Sequence, residues 1–500
     1  MFDPAGDIRL GIVGAGAMGG GIAQVAISAG LQVLLYDQKP EVAKQTRSAI
    51  FSRLDSRIAK GKATAEEVVA AKARLQVTSD LASFADRQVV IEAIVEDLEA
   101  KRSLFRELEG IVGEDCVLAS NTSSLPIGAI ARACRHRRRV AGLHFFNPVP
   151  VMRLVEVIRG PESDPAVMEA LRGLGSRLGR TPIEVPDSPG FLVNLGGRAF
   201  TTEGLAIVHE GVATPAQVDA VMRDGFGFRM GPFELMDLTG MDVNFPVTSF
   251  IHQAFFGDPR LRSTPLHRNL YESGRLGRKS GQGHFVYSDG KAQVPSADAA
   301  ISGKAARKLV LLEPDDRLRA FVADLEVELL DRDDRQSPIL AAPLGEDATE
   351  LCRRSGAEPQ RVVALDLLPD VSKRITVMGA PNVDRDIRQS VVDLLGEKRK
   401  VTVIQDSPGF IAQRMLAMIG NLGCEMAQIG LASPNDIDTA MKLGLNYPKG
   451  PFEICDHLGC SRVWRILERL QALTGDDRYR PSQWLRRRAT LGLPAGFIAT

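Results

Sequence analysis

Residues 143–156 read LHFFNPVPVMRLVE and contain the two side chains best suited to move a proton, His144 and Glu156. Between them Asn147-Pro148-Val149-Pro150 is a turn-forming run. Residues 140–144 and 154–158 read as short buried strands. Laid side by side, those strands bring the carboxylate to the imidazole. A carboxylate in that place favours the protonated ring, fixes its tautomer and tunes it as an acid or base near neutral pH. The plainer alternative is a histidine closing a strand end and a glutamate facing water. Two more polar groups sit where chemistry is done. Ser120-Asn121-Thr122-Ser123-Ser124 ends an apolar strand, and polar groups at the carboxyl end of a parallel strand lie where open α/β sheets bind ligands. Asn194 falls in the first turn of a helix, either to satisfy backbone groups or to reach a substrate oxygen.

The elements that must hold these groups begin at residue 7. A strand over 7–13 runs into Gly14-Ala15-Gly16-Ala17-Met18-Gly19, then a helix ending at Gly30, then a second strand over 31–36 that closes on Asp37. A bare GxGxxG is weak evidence; between a strand and a helix, with an acid ending the next strand, it predicts a dinucleotide site. Gly14 permits the tight turn, Gly16 lets a pyrophosphate approach the backbone, and Gly19 packs helix on strand. The helix N-terminus faces the phosphates. Asp37 accepts from ribose hydroxyls and repels a 2′-phosphate, which favours NAD over NADP.

A helix is expected over 42–73, basic along one side (Arg47, Arg53, Arg57, Lys60, Lys62). Such charges solvate a helix face or, alternatively, form an electropositive rim for a phosphate-bearing substrate. Strands over 75–77, 89–95 and 116–119 alternate with helices, so a doubly wound sheet follows. The run Arg135-His136-Arg137-Arg138-Arg139 reads as a solvated loop. A strand over 181–185 returns to the sheet, and Asp187-Ser188-Pro189-Gly190-Phe191 opens an all-helical stretch.

The totals fit this reading. Five hundred residues imply two to four domains. With 44% hydrophobic residues and no formal net charge, nothing points to nucleic acid or an acidic membrane. Six cysteines show no metal-ligand spacing, and no metal is expected. Neither a secretory signal nor a membrane-spanning run is visible, so a cytoplasmic protein is expected.

Together these pieces resemble the L-3-hydroxyacyl-CoA dehydrogenase family. The strings that carry the resemblance are GIVGAGAMGGGIAQVAISAG, VVIEAIVEDLEAK, LASNTSSLPI, RVAGLHFFNPVPVMRLVEVI, DSPGFLVNLGG and GPFELMDLTG, in family order over about residues 7–290. The resemblance implies NAD-dependent oxidation of (S)-3-hydroxyacyl-CoA to 3-oxoacyl-CoA. It makes His144 the general base and Glu156 its orienting partner. Ser123 and Asn194 take substrate-holding positions, and Glu96, Lys101, Ser123 and Asn147 line the cofactor cleft. Lys60 or Lys62 corresponds to a coenzyme A contact, and a homodimer through the helical domains is implied. A non-thioester hydroxy acid or sugar acid is the rival substrate, and a non-enzymatic NAD-binding protein the rival class. Butyryl-length and dicarboxylic acyl chains both stay open, with Arg229 or Arg278 as conceivable partners of a distal carboxylate.

The rest of the chain repeats. Adding 219 carries Asp187–Phe191 onto Asp406–Phe410 and Thr214-Pro215 onto Ser433-Pro434. It also carries Asp219 onto Asp438, Gly231–Glu234 onto Gly450–Glu453, Asp237 onto Asp456 and Gly240 onto Gly459. This is an internal duplication. The stretch before it echoes the first half faintly. By residue type Ser123 corresponds to Gly345, His144 to Asp366, Glu156 to Val377 and Asn194 to Gln413, and no GxGxxG precedes them. Four parts are therefore expected: an NAD-binding Rossmann domain over 1–186, a helical domain over 187–290, a reduced cofactor-free α/β domain over 305–405, and a second, non-catalytic helical domain over 406–500. The linker is placed at 284–305. The rear copy supplies packing, an interface or control of substrate length.

Overall fold

The computed structural model describes residues 2–498. The chain forms two compact units, one running to Leu195 and taking in Leu443–Leu445, the other made of Gly196–Lys442 and the residues from Asn446 on.

In the first unit the strands are β1 (Arg9–Val13), β2 (Gln32–Tyr36), β3 (Leu75–Thr78), β4 (Val89–Glu92), β5 (Val117–Ser120), β6 (Val140–Phe145), β7 (Leu154–Arg159) and β8 (Thr181–Pro186). They form one sheet in the order β3-β2-β1-β4-β5-β6-β7-β8. All neighbours are parallel except β6 and β7. Helices α1 (Ala17–Ser28), α2 (Pro40–Ala59), α3 (Ala65–Ala73), α4 (Leu98–Ile111), α5 (Ile127–Ala131) and α6 (Pro165–Arg177) belong to this unit. Sheet strands such as β4, β5 and β6 are buried at every residue, as helix-covered strands must be.

Two local expectations change. The single helix expected over 42–73 is two, α2 and α3. The break falls at Gly61, which takes φ +64°, and α3 restarts at Thr64, whose hydroxyl and the Glu67 carboxylate form a capping box. The strand expected over 89–95 stops at Glu92, because that side chain accepts the Ile94 N–H and bends the chain.

The second unit opens with the end of α7 (Val193–Gly196), then α8 (Arg198–His209), α9 (Pro215–Phe226), α10 (Pro232–Thr239), α11 (Met241–Ala254) and α12 (Pro265–Glu272). Part of the expected linker is an antiparallel hairpin, β9 (Val286–Ser288) and β10 (Lys291–Gln293). Strands β11 (Lys308–Leu311), β12 (Glu328–Leu329), β13 (Ile339–Ala341), β14 (Val362–Asp366), β15 (Arg374–Met378) and β16 (Lys400–Val403) make a second sheet, ordered β12-β11-β13-β14-β15-β16. Helices α13 (Asp316–Ala323), α14 (Ala348–Ser355) and α15 (Arg385–Gly396) accompany it. The second helical copy follows as α16 (Ala412–Gln428), α17 (Pro434–Leu445), α18 (Pro451–Leu458), α19 (Cys460–Thr474) and α20 (Gln483–Leu491).

The two sheets share one pattern. Strands β11, β13, β14, β15 and β16 follow the order of β4 to β8, including one antiparallel pair at the same place. The Gly-rich turn and its flanking strands have no counterpart. Strand pairing also corrects one correspondence. His144 lies opposite Glu156, and Asp366 lies opposite Thr376, so Thr376 rather than Val377 occupies the place of Glu156. A shift of one residue turns a side chain to the other face of the sheet; Val377 packs in the apolar core of this copy.

The helical repeat is built twice from the same contacts. Asp219 accepts the N–H groups of Phe233 and Glu234, and Asp438 those of Phe452 and Glu453. A Cβ on Gly231 or Gly450 would collide with these carboxylates, at 2.1 and 2.3 Å. Within the second unit α8 packs on its equivalent, α16. At this face Arg414 lies fully buried, donating to Glu203, Glu210 and the Tyr479 hydroxyl. Phe228 and its equivalent, Tyr447, meet edge to face with ring centroids 5.2 Å apart.

Candidate active site

The first unit brings the proton-moving pair together. His144 ends β6 and Glu156 sits opposite it on β7, because the 145–153 connection, which contains a cis Asn147–Pro148 bond, folds the strands antiparallel. Imidazole Nδ1 stands 2.6 Å from Glu156 Oε2, with both side chains buried. The other carboxylate oxygen, Oε1, accepts the N–H groups of Leu192 and Val193 at 3.0 and 2.9 Å. Every lone-pair direction that anchors Glu156 is thus used, and the ring cannot turn without breaking a charge-assisted contact. Phe146 and Phe191 flank the imidazole at centroid distances of 4.5 and 6.0 Å. Phe191 takes φ +49°, and its repeat equivalent Phe410 takes +52°. A backbone rarely adopted by a bulky residue is held at both sites, each after a glycine of positive φ.

The polar strand end after β5 closes on the same region. Asn194 donates from Nδ2 to the Ser123 carbonyl oxygen at 3.1 Å. Asn121 Oδ1 accepts the Phe145 N–H at 2.8 Å, tying β5 to the residue after His144. Glu96 accepts from the Thr122 hydroxyl and the Ser123 N–H. Burial acts to raise the Glu96 pKa, but the Lys101 charge and these hydrogen bonds outweigh it, and the carboxyl lies below its ordinary range. Lys101 is itself buried and bridges Glu96 at 3.3 Å and Glu92 at 2.6 Å. Glu92 and Asn121 escaped the sequence reading. An acid inside the apolar run VVIE, nine residues before a lysine, was the available signal for the first.

The Gly-rich turn has the shape a dinucleotide requires. Gly14 takes φ +103°, and a Cβ there would sit 2.4 Å from the Ala93 carbonyl oxygen. A Cβ on Gly19 would lie 1.8 Å from the Gly14 carbonyl oxygen, so helix and turn are in backbone contact. Around Gly16 nothing lies within 4 Å of such a Cβ, leaving the approach to the turn open. Asp37 accepts the N–H groups of Ala15 and Lys39, which fixes its carboxylate at the edge of a cavity of about 680 Å³ that also involves Gly14, Gly16 and Ala93. A second cavity, about 460 Å³, lies between Ala15–Ala17 and the turn that carries Asn147. These residues fit NAD: an open glycine turn at a helix N-terminus, with an acid placed for ribose hydroxyls. Met18 packs against the core below. Lys60 and Lys62 are exposed at and just beyond the end of α2, and the structure joins neither to the groups above. Arg229 is exposed, and Arg278 lies over the Tyr287 ring.

The rear copy keeps the frame and changes the groups. Asp366 replaces the imidazole and Thr376 the glutamate. Gln413, in the place of Asn194, donates to Asp366 Oδ1 and to the Pro343 carbonyl oxygen, and accepts the Gly345 N–H. Asp366 Oδ2 is buried with no hydrogen-bond partner. Burial pushes the Asp366 pKa up to about 6 against the hydrogen bonds from Gln413 and Leu368.

Comparison with known proteins agrees with this picture. Residues 9–188 match the family model for the 3-hydroxyacyl-CoA dehydrogenase NAD binding domain. The model of the C-terminal domain of the same enzymes matches twice, over 190–287 and 409–495. A 3-hydroxyadipyl-CoA dehydrogenase of Escherichia coli is 39% identical over 481 residues, 96% of this chain and 97% of that protein. A probable 3-hydroxybutyryl-CoA dehydrogenase of Deinococcus radiodurans is 42% identical over 56% of this chain and all of its own. The crystal structure of an Escherichia coli 3-hydroxybutyryl-CoA dehydrogenase superimposes with a TM-score of 0.86 at 38% identity, covering 97% of this chain and 99% of that one. With both family models covering most of its length and a relative matched almost end to end, the chain belongs to the 3-hydroxyacyl-CoA dehydrogenase family.

Proposed function

We propose that the protein oxidises (S)-3-hydroxyacyl-CoA to 3-oxoacyl-CoA with NAD, through His144 as base and Glu156 as its anchor. The observation that carries the residue assignment is the buried 2.6 Å contact between imidazole Nδ1 and a glutamate whose second oxygen is pinned by two backbone N–H groups. With Nδ1 engaged, Nε2 is the nitrogen that takes the substrate hydroxyl proton. The positive charge then formed on the ring meets the Glu156 carboxylate in a buried setting, where such a contact is strong. NAD, when bound, accepts the hydride released from C3. Asn194, locked to the Ser123 carbonyl, orients the substrate beside the ring, with the Ser123 hydroxyl as a second polar contact. The turn from Gly14 to Gly19 with Asp37 holds the dinucleotide, and Glu96, Lys101 and Asn147 line its cleft. Lys60 and Lys62 serve as solvent-side contacts for the phosphates of coenzyme A.

The four-part division at 186, 290, 305 and 405 is our reading of the domains, with the rear pair non-catalytic. In it, the second helical copy covers the first within one chain. A homodimer through the helical repeats would then use faces other than those where α8 meets α16, and sedimentation of the full chain gives its mass. No helix among the described residues is long and apolar enough to cross a membrane. All six cysteines are free and buried, in keeping with a reducing, cytoplasmic setting. The test is NADH formation from 3-hydroxybutyryl-CoA against free 3-hydroxybutyrate. Turnover of the thioester supports the proposal; turnover of the free acid alone replaces it with the non-thioester reading.

A further inference from the structure

Two arginines are buried where the helical copies meet, and they are treated differently. Arg414 is surrounded by carboxylates: burial acts to lower its pKa, but the charges of Glu203 and Glu210 dominate and hold it well above the ordinary value. Arg198 is equally buried, donates to the Thr248 hydroxyl, and has its pKa pulled down by burial to about 10. It therefore stays a cation at neutral pH, at a cost in desolvation.

The surroundings of Arg198 hold polar atoms that the fold does not use. Tyr447, from the second helical copy, is the charged or titratable group that acts most directly on it. The Tyr447 hydroxyl is buried without a hydrogen-bond partner, though its ring packs against Phe200 and Phe228. His267, within electrostatic reach of Arg198, is kept neutral: burial first, then the Arg198 charge, bring its pKa to about 3. Its Nδ1 faces the Ser263 hydroxyl and its Nε2 is buried and unpartnered.

The internal repeat supplies a control for this cluster. Under the offset of 219, Arg198 corresponds to Ala417, Thr248 to Leu467, and Tyr447 to Phe228. The mirrored place is apolar throughout. A cation, two hydroxyls and a neutral imidazole have thus been set into one of two equivalent positions, where packing alone is satisfied by alanine, leucine and phenylalanine. Arg198 also follows Asn194, the proposed substrate contact, by four residues in the sequence.

We infer that Arg198 and Tyr447 anchor a carboxylate at the far end of the acyl chain, so that the preferred substrate is the coenzyme A thioester of a hydroxylated dicarboxylic acid. The guanidinium matches a carboxylate in shape and charge, and the tyrosine hydroxyl supplies a further donor. Neither Arg229 nor Arg278, the candidates raised by the sequence, has such a setting. The rear half thereby contributes one residue to substrate choice. This inference rests on the dehydrogenase reading above.

The test compares two six-carbon thioesters, 3-hydroxyadipyl-CoA and 3-hydroxyhexanoyl-CoA, by NADH formation with the full chain. The wild type is expected to favour the dicarboxylic ester in kcat/KM. Arg198→Met is expected to lower that preference on the order of 100-fold, chiefly through KM. Tyr447→Phe, which installs the residue of the mirrored position, is expected to lower it about 10-fold. Arg198→Lys should retain part of it. A wild type that prefers the hexanoyl ester overturns the inference while leaving the dehydrogenase intact. So do variants that change both esters alike. Should Arg198→Met not fold, Tyr447→Phe and Arg198→Lys decide the matter by the same ratio. Failure of the wild type on both esters sinks the dehydrogenase reading itself, and this inference with it.

Discussion

The strand pair β6–β7 and the strand pair β14–β15 have the same antiparallel geometry and opposite chemical content. In the first, a histidine faces a glutamate whose oxygens are all engaged. In the second, an aspartic acid faces a threonine, and one carboxylate oxygen is buried without a partner. The first arrangement stabilises a charge that appears on the ring during a reaction. The second penalises any charge on its only ionisable group. A sheet corner thus supplies position alone, and the reactivity lies in which side chains occupy it and how their polar atoms are satisfied.

Changing the two corners in turn gives the sharpest contrast. His144→Gln should lower kcat by about 10²–10⁴-fold while NADH still binds, read by stopped-flow turnover and fluorescence titration. Retained turnover would break the distinction between the copies. Next in size is the packing between the helical copies. Arg414→Met leaves Glu203 buried with part of its compensation gone and should cost about 3–5 kcal/mol, read by denaturant unfolding. A loss below about 1 kcal/mol would mean that the helical copies cohere without this network.

Asp366 gives a pH signature. Its folded-state pKa, about 6, lies above the unfolded value, so the folded chain binds the extra proton between roughly pH 4 and 6. Its contribution is fully favourable below pH 4 and is lost as pH rises through 6. Asp366→Asn should therefore raise stability at pH 8 by about 3 kcal/mol and flatten the pH dependence of Tm between 4 and 6. An unchanged Tm profile would show that this corner is already relaxed. Smallest is Lys60→Ala, an exposed cation on a helix without a rear counterpart. Its KM for the thioester should rise less than about 5-fold.

Much of this was legible in the chain because it is written locally. The glycine turn, the acid after β2 and the residues on either side of Asn147-Pro148 each depend on neighbours within a few positions. The correspondence of Glu156 was not. Matching Arg374 to Arg153 by type ignores that the connection after β14 is one residue shorter than that after β6, and only pairing across the strands reveals the shift. Glu92 with Lys101, and Arg198 with Tyr447, were hidden for another reason. Each gains meaning from burial and from partners distant in sequence, and composition reports neither.

Fusing the two helical copies has a consequence for what selection can reach. In an assembly of identical chains related by a two-fold axis, every residue at the seam appears twice, so a tyrosine useful on one side is imposed on the other. Here the seam between α8 and α16 is encoded once on each side. Phenylalanine can stay at 228 while 447 acquires a hydroxyl, and alanine can stay at 417 while 198 acquires a charge. Covalent duplication turned an obligatory mirror into two independent drafts, and only one of them had to remain legible to the substrate.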